Sequence, residues 1–105
     1  MARREFGDVY VYDYGDTAGP RPMVIVAPYR GGNNTLGVEV TNTPFNAPYV
    51  VPVASLATAN LTGFIRCDRI VTVNHDDRYF RAYICSLGAA DMAIIATGLK
   101  AALAI

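Results

Sequence analysis

The chain has 105 residues, of which 52% are hydrophobic, and nine basic residues balance nine acidic ones. This length predicts one domain over residues 1–105, and the apolar content excludes a globally disordered chain. A neutral chain lacks the basic surplus that is typical of general polyanion binders, although a local basic patch would still be compatible with RNA binding.

Strand-like segments alternate with turn residues along most of the chain. The predicted strands cover residues 8–14, 21–28, 36–41, 49–53, 63–67, 71–73 and 80–86. The predicted turns, loops and bends cover residues 15–20, 29–34, 42–48, 68–70 and 74–78, and residues 54–59 are predicted to form one turn of helix.

The C-terminal segment predicts an α-helix over residues 88–103, capped by Ser86 and with Asp91 near its positive end. An apolar face follows from spacings of three and four among Met92, Ile95, Leu99 and Leu103. The element order predicts a mainly β protein, a small antiparallel barrel or sandwich closed by this helix.

The two cysteines and the single histidine do not form a metal-ligand pattern, so we predict no metal and no cofactor. Cys67 and Cys85 lie in apolar, strand-like runs, which favours buried free thiols, whereas His75 lies in a polar turn and is expected at the surface. The charged N-terminus and the short C-terminal apolar run predict a cytoplasmic protein without a signal peptide or membrane span.

Five segments in order resemble the MazF/PemK family of toxins from type II toxin–antitoxin systems. They are Gly7-Asp8-Val9-Tyr10-Val11, Arg21-Pro22-Met23-Val24-Ile25-Val26, Val38-Glu39-Val40-Thr41, Gly63-Phe64-Ile65-Arg66-Cys67-Asp68-Arg69-Ile70, and Ile84-Cys85-Ser86-Leu87 with Met92. The resemblance spans nearly the whole chain. Two departures from the family pattern are a short first loop, residues 15–20, and Arg69 at a position that usually holds Gln.

The resemblance implies an SH3-like, barrel-like sheet of the CcdB–PemK type and a metal-independent endoribonuclease. Such an enzyme cleaves single-stranded RNA at selected sequences and leaves 2′,3′-cyclic phosphate and 5′-OH ends. The resemblance also implies a homodimer whose RNA groove is blocked by a cognate antitoxin protein.

The same resemblance assigns catalysis to Arg21 and Thr41. A planar guanidinium can hold a phosphate through two hydrogen bonds, and a hydroxyl can donate to the oxygens on which charge develops. The proton acceptor stays open between Asp16, Thr17, Glu39 and water.

RNA contacts are expected from a second set of polar residues, which are Thr17, Thr43, Arg66, Asp68 and Arg69. Arg69 could bind phosphate or pair with Asp68. Arg30, in a predicted turn, is a further basic candidate. Unpaired bases could stack on the aromatic side chains of Tyr14, Tyr29, Phe45 and Tyr49.

Two alternatives remain for this fold: a CcdB-like toxin that inhibits DNA gyrase through protein contacts, and an inactive binding module. CcdB-like toxins typically use apolar and aromatic residues at the end of the C-terminal helix, and this chain ends in Leu103-Ala104-Ile105 without an aromatic. Fold alone does not separate these functions, so the Arg21 and Thr41 match decides in favour of the ribonuclease.

Overall fold

The computed structural model describes residues 5–27, 34–58 and 60–105. The six strands are β1 (Asp8–Tyr12), β2 (Arg21–Ile25), β3 (Asn34–Thr41), β4 (Val50–Pro52), β5 (Phe64–Asn74) and β6 (Phe80–Ser86). Two short 3-10 turns, Val53–Ser55 and Asp77–Tyr79, precede β5 and β6, and helix α1 (Ala89–Leu103) follows. The hairpin turn predicted at residues 29–34 lies, except for its last residue, outside the described part of the chain.

The six strands form one antiparallel sheet in the order β4-β5-β3-β2-β1-β6. The sheet curls, as shown by the backbone N–H of Asn74 at the end of β5, which donates to the hydroxyl of Tyr12 in β1 at 3.0 Å. These strands are not neighbours in the sheet, so the bond draws its two halves together. The mainly β fold with an antiparallel, barrel-like sheet and a C-terminal helix is therefore confirmed.

Alternation along the strands produces one apolar cluster on each face of the sheet. The larger cluster packs α1, through Met92 and Ile95, against residues such as Val24, Val38 and Ile65. The smaller one, on the opposite face, consists of Tyr12, Met23, Ile25 and Val73. Cys67 and Cys85 belong to the larger cluster as buried free thiols, as predicted.

The segment predicted as two strands separated by a bend is one strand with a bulge. In the β3–β5 ladder Val38 pairs with Ile70, whereas the next residue, Glu39, pairs with Arg66. Three residues of β5, 67–69, are therefore skipped by the ladder. Such bulges bend a strand and re-aim its side chains without ending the pairing.

Two predictions about the helix are wrong. Ser86 does not cap α1, because its hydroxyl donates to Asp8 Oδ1 at 2.7 Å and the N-cap residue is Gly88. The first turn is instead tied down by buried Asp91, whose Oδ1 accepts the backbone N–H of Ala57 at 2.9 Å. The second error concerns the apolar face of the helix: Leu103 is 55% exposed, whereas Met92, Ile95 and Leu99 pack in the larger cluster.

His75 was expected at the surface, and this expectation is also wrong because the residue is only 5% exposed. The segment that follows it folds into a 3-10 turn, which is held against β1 by the backbone N–H of Asp13 donating to the carbonyl of Tyr79 at 2.7 Å. His75 is therefore buried although its neighbours in sequence are polar.

The tightest point of the smaller cluster lies at Gly37 in β3. A Cβ added there would overlap Sδ of Met23 and lie 2.8 Å from Cγ2 of Val73. We expect Gly37→Ala to lower the free energy of unfolding by about 1–3 kcal/mol, the usual cost of overpacking a core. Urea denaturation measures it, with Leu36→Ala at the neighbouring, 45% exposed position as control. Equal stability of Gly37→Ala and wild type would contradict this packing.

Candidate active site

Polar side chains lie beside the smaller apolar cluster, on the sheet face opposite α1. The β2–β3 register pairs Met23 with Glu39, and two residues further along these strands lie Arg21 and Thr41. Arg66 pairs with Glu39 from the other side of β3. Strand alternation therefore places the predicted catalytic pair and part of the predicted RNA-binding set on one face.

Arg21 is the most highly coordinated side chain of this face. Its Nη1 and Nη2 atoms donate to the two carboxylate oxygens of Asp16 at 2.9 and 3.0 Å, and Nη1 also donates to the carbonyl of Gly19 at 2.8 Å. Nε lies 3.4 Å from Oε1 of Glu39. The guanidinium stacks over the ring of Tyr14 at 4.4 Å, so each of its three nitrogens and one face are in contact with a partner.

These contacts fix the charge state of the pair. The hydrogen bonds from Arg21 hold the pKa of the Asp16 carboxyl below its ordinary value, and the same contact raises the pKa of Arg21. Arg21 is therefore a permanent cation and does not serve as a general base. Its two Nη donors are held in the parallel arrangement that also binds phosphate oxygens.

Tyr14 packs against one face of the Arg21 guanidinium. Its hydroxyl donates to the carbonyl of Pro22 at 3.1 Å, and burial raises its pKa. The sequence predicted that this ring stacks on RNA bases, whereas in the structure it stacks on the guanidinium of Arg21.

Glu39 is a buried carboxylate between two arginines. It is 9% exposed, and its Oε1 accepts from Arg69 Nη1 at 3.2 Å in addition to the contact with Arg21. The sequence had left Arg69 open between phosphate contact and a pair with Asp68. The bulge in β5 instead directs Arg69 back onto Glu39.

Thr41, the predicted catalytic hydroxyl, ends β3 two residues before Thr43. The backbone N–H of Thr43 donates to Oγ1 of Thr41 at 3.2 Å. Because the hydroxyl oxygen of Thr41 acts as an acceptor, its hydrogen is available for donation to a ligand. Thr43 is exposed in the following loop, and Thr17 is exposed in the loop that carries Asp16.

Arg66 and Asp68 form a second ion pair beside Glu39. Arg66 Nε and Nη2 donate to the two carboxylate oxygens of Asp68 at 2.9 and 2.7 Å. The guanidinium lies 4.3 Å from the ring centre of Phe45, which is 41% exposed. The hydrogen bonds lower the pKa of Asp68 and raise that of Arg66. The Phe45 ring in turn lies 6.1 Å from that of Tyr49.

The contact from Gly19 was missed by sequence reasoning because a carbonyl group carries no side-chain signal. The predicted contacts Tyr29 and Arg30 lie outside the described residues. Within residues 5–27, 34–58 and 60–105, no group of three or more His, Cys, Asp or Glu side chains could hold a metal ion.

The two ion pairs give the site a defined response to pH. Because the folded-state pKa values of Asp16 and Asp68 lie below the ordinary value, each pair stabilises the fold above that value, and the stabilisation is lost as the pH falls through the lowered pKa. In Arg21→Ala we expect the Asp16 pKa to rise towards about 3.9 while the Asp68 pKa stays low. In Arg66→Ala we expect the Asp68 pKa to rise towards about 3.9 while the Asp16 pKa stays low. Carboxyl ¹³C NMR titration measures both, and an Asp16 pKa insensitive to Arg21 would contradict the assigned contact.

The sequence and the fold match known proteins along nearly the full chain. The sequence model for PemK-like, MazF-like toxins of type II toxin–antitoxin systems matches residues 5–103. No curated protein sequence matches. No helix of the described residues has the length and apolar character that crossing a membrane requires.

Solved structures show the same relationship. The chain is similar to an endoribonuclease from a mycobacterial species, with a TM-score of 0.83 and 26% identity over 100% of this chain and 95% of that one. It is also similar to a mycobacterial endoribonuclease in complex with its cognate antitoxin, with a TM-score of 0.82 and 27% identity over 97% and 96% of the two chains. A MazE–MazF structure from Deinococcus radiodurans, 19% identical over 100% and 99% of the chains with a TM-score of 0.78, shares the fold. The chain therefore belongs to the PemK-like, MazF-like toxins of type II toxin–antitoxin systems.

Proposed function

We propose that this toxin is an endoribonuclease that cleaves single-stranded RNA without a metal ion. The observation that carries the proposal is the Nη edge of Arg21, which binds a carboxylate through two parallel hydrogen bonds in the geometry that a phosphate would use. The similarity to mycobacterial endoribonucleases supports the same activity.

The proposed reaction is an intramolecular transfer at phosphorus. A ribose 2′-OH attacks the adjacent phosphorus atom, the bond to the 5′ oxygen breaks, and a 2′,3′-cyclic phosphate and a 5′-OH remain. Negative charge gathers on the non-bridging oxygens, where the Nη donors of Arg21 and the hydroxyl of Thr41 would stabilise it. The permanent charge of Arg21 means that another group or water accepts the 2′-OH proton. A proton from that group or from water then completes the 5′-OH on the departing oxygen.

RNA flanking the cleaved bond would follow the other polar side chains of this face. Arg66 and Arg69 supply cations next to Arg21, and exposed Phe45 offers an aromatic surface beside Arg66. Base stacking on aromatic side chains with arginine nearby is a common way to hold unpaired nucleotides. Thr17, Thr43 and Asp68 would add polar contacts around the groove.

The proposed partners are single-stranded RNA, a second copy of this chain and a cognate antitoxin, and the proposed site of action is the cytoplasm. Support for an antitoxin comes from the family and from the similar mycobacterial enzyme solved with its own antitoxin. An acidic segment of such a partner would compete with RNA for Arg21 and Arg69.

Cleavage of a long unstructured RNA in EDTA tests the proposed function. We expect wild type to cut at selected sites and to leave 5′-OH ends, and Arg21→Ala and Thr41→Val each to lower the rate by about 10²–10³-fold. Mapping the product ends identifies both the chemistry and the recognised sequence.

Arg81→Ala is the matched control, because Arg81 forms an ion pair of the same kind with Asp13 at 2.8 Å but lies on β6, away from Thr41 and Glu39. Its rate should equal that of wild type. Intact RNA after incubation with folded, antitoxin-free wild type would reject the ribonuclease, and inhibition of DNA gyrase would then be measured on the same preparation.

A further inference from the structure

The two carboxylates that hold Arg21 differ sharply in their surroundings. The side chain of Asp16 is 49% exposed and lies in the short loop between β1 and β2. The side chain of Glu39 is only 11% exposed and lies in β3, between β2 and β5. One partner of the guanidinium is thus a solvent-exposed loop residue, and the other lies within the sheet.

Building on the proposed ribonuclease function, we propose that Glu39 is a positioning residue, which fixes Arg21 through Nε so that the Nη edge faces the RNA phosphate. Asp16 then occupies the phosphate position in the free protein and is displaced when RNA binds.

The geometry of Asp16 supports its role as an exchangeable partner. Its two oxygens accept from Nη1 and Nη2 at 2.9 and 3.0 Å, so they stand where two phosphate oxygens would stand. Exposed ion pairs contribute little to stability, because solvent screens both charges. An RNA phosphate can therefore replace this carboxylate without disturbing the sheet.

The geometry of Glu39 supports its role as the fixed partner. The same oxygen, Oε1, lies 3.4 Å from Arg21 Nε and 3.2 Å from Arg69 Nη1, so one buried carboxylate orients two cations. The positive charges of Arg21 and Arg69 cancel the negative charges of Asp16 and Glu39. When one phosphate with a single negative charge replaces Asp16, the sum stays the same, so the exchange adds no net charge next to the buried Glu39.

The neighbourhood of Glu39 makes this role specific. Arg66 lies opposite it in the β3–β5 ladder but is already bound through Nε and Nη2 to Asp68. Among the described residues, Glu39 therefore forms ion pairs with Arg21 and Arg69. Without Glu39, Arg21 would keep its charge and lose the contact that sets its direction.

Two isosteric substitutions test the division of roles, because their expected effects have opposite signs. Glu39→Gln should lower kcat by about tenfold or more while KM stays equal or falls, since the cations remain and only their orientation is lost. Asp16→Asn should raise kcat/KM about three- to tenfold through a lower KM, because the competing carboxylate is gone. Glu39→Asp should recover part of the lost kcat.

Asp76→Asn serves as the matched control, since Asp76 also pairs with an arginine, Arg78, at 3.4 Å in the turn before β6. Its kcat and KM should equal those of wild type. Circular dichroism and thermal unfolding of each variant check that the fold is retained.

A readout without RNA separates this inference from the proposed function. In wild type and Asp16→Asn, the Nε–Hε NMR signal of Arg21 should be sharp and slow to exchange with water, and in Glu39→Gln it should broaden or exchange about tenfold faster. If wild type cleaves no RNA, the proposed function fails, while the NMR result still tests the positioning.

Three outcomes would overturn the inference. An unchanged Arg21 signal in Glu39→Gln would show that Glu39 does not hold the guanidinium. A raised KM with unchanged kcat would assign Glu39 to binding. Loss of the acidic limb of the pH–rate profile in Glu39→Gln would make Glu39 the proton acceptor instead.

Discussion

A buried carboxylate is the constraint on which this face of the protein depends. An ionised group taken out of water is costly unless it is paired, and removing one partner of a buried pair leaves an uncompensated charge. Glu39 meets this requirement with two arginines, one from the start of β2 and one from the bulge of β5. The pairing thereby joins the loop that precedes β2, the centre of β3 and the irregular part of β5 into one site.

Most of the fold could be predicted because alternation of apolar and polar residues is a local signal. The six strands and the terminal helix lie where this pattern predicts them, apart from the unforeseen continuity of β5. The errors at Ser86, His75 and Leu103 share one cause. The Ser86 hydroxyl, the His75 imidazole and the Leu103 side chain can each be either buried or exposed. Contacts between residues distant in sequence decide between the two.

The candidate site was less predictable from physical reasoning alone. Arg21 and Thr41 were singled out by resemblance to a family, because one arginine before a proline or one threonine at a strand end carries little information. The Glu39–Arg69 pair joins residues 30 positions apart, and the register shift after Val38 creates it. The alternation rule for side-chain direction assumes regular strands, so it does not predict where an arginine in a bulge points.

The bulge also links the site to the opposite side of the sheet. Cys67, one of the three residues skipped by the ladder, lies on the α1 side, between Arg66 and Asp68 on the site side. A Cβ on Gly98 of α1 would lie 2.8 Å from Cys67 Sγ and 3.1 Å from Val51 Cγ2. The sizes of residues 67 and 98 are therefore coupled: any side chain at position 98 requires a residue smaller than cysteine at position 67, and a larger residue at position 67 cannot be offset at position 98, which is already glycine. Homologues that break this volume rule should carry a shifted helix and a differently aimed Arg66–Asp68 pair.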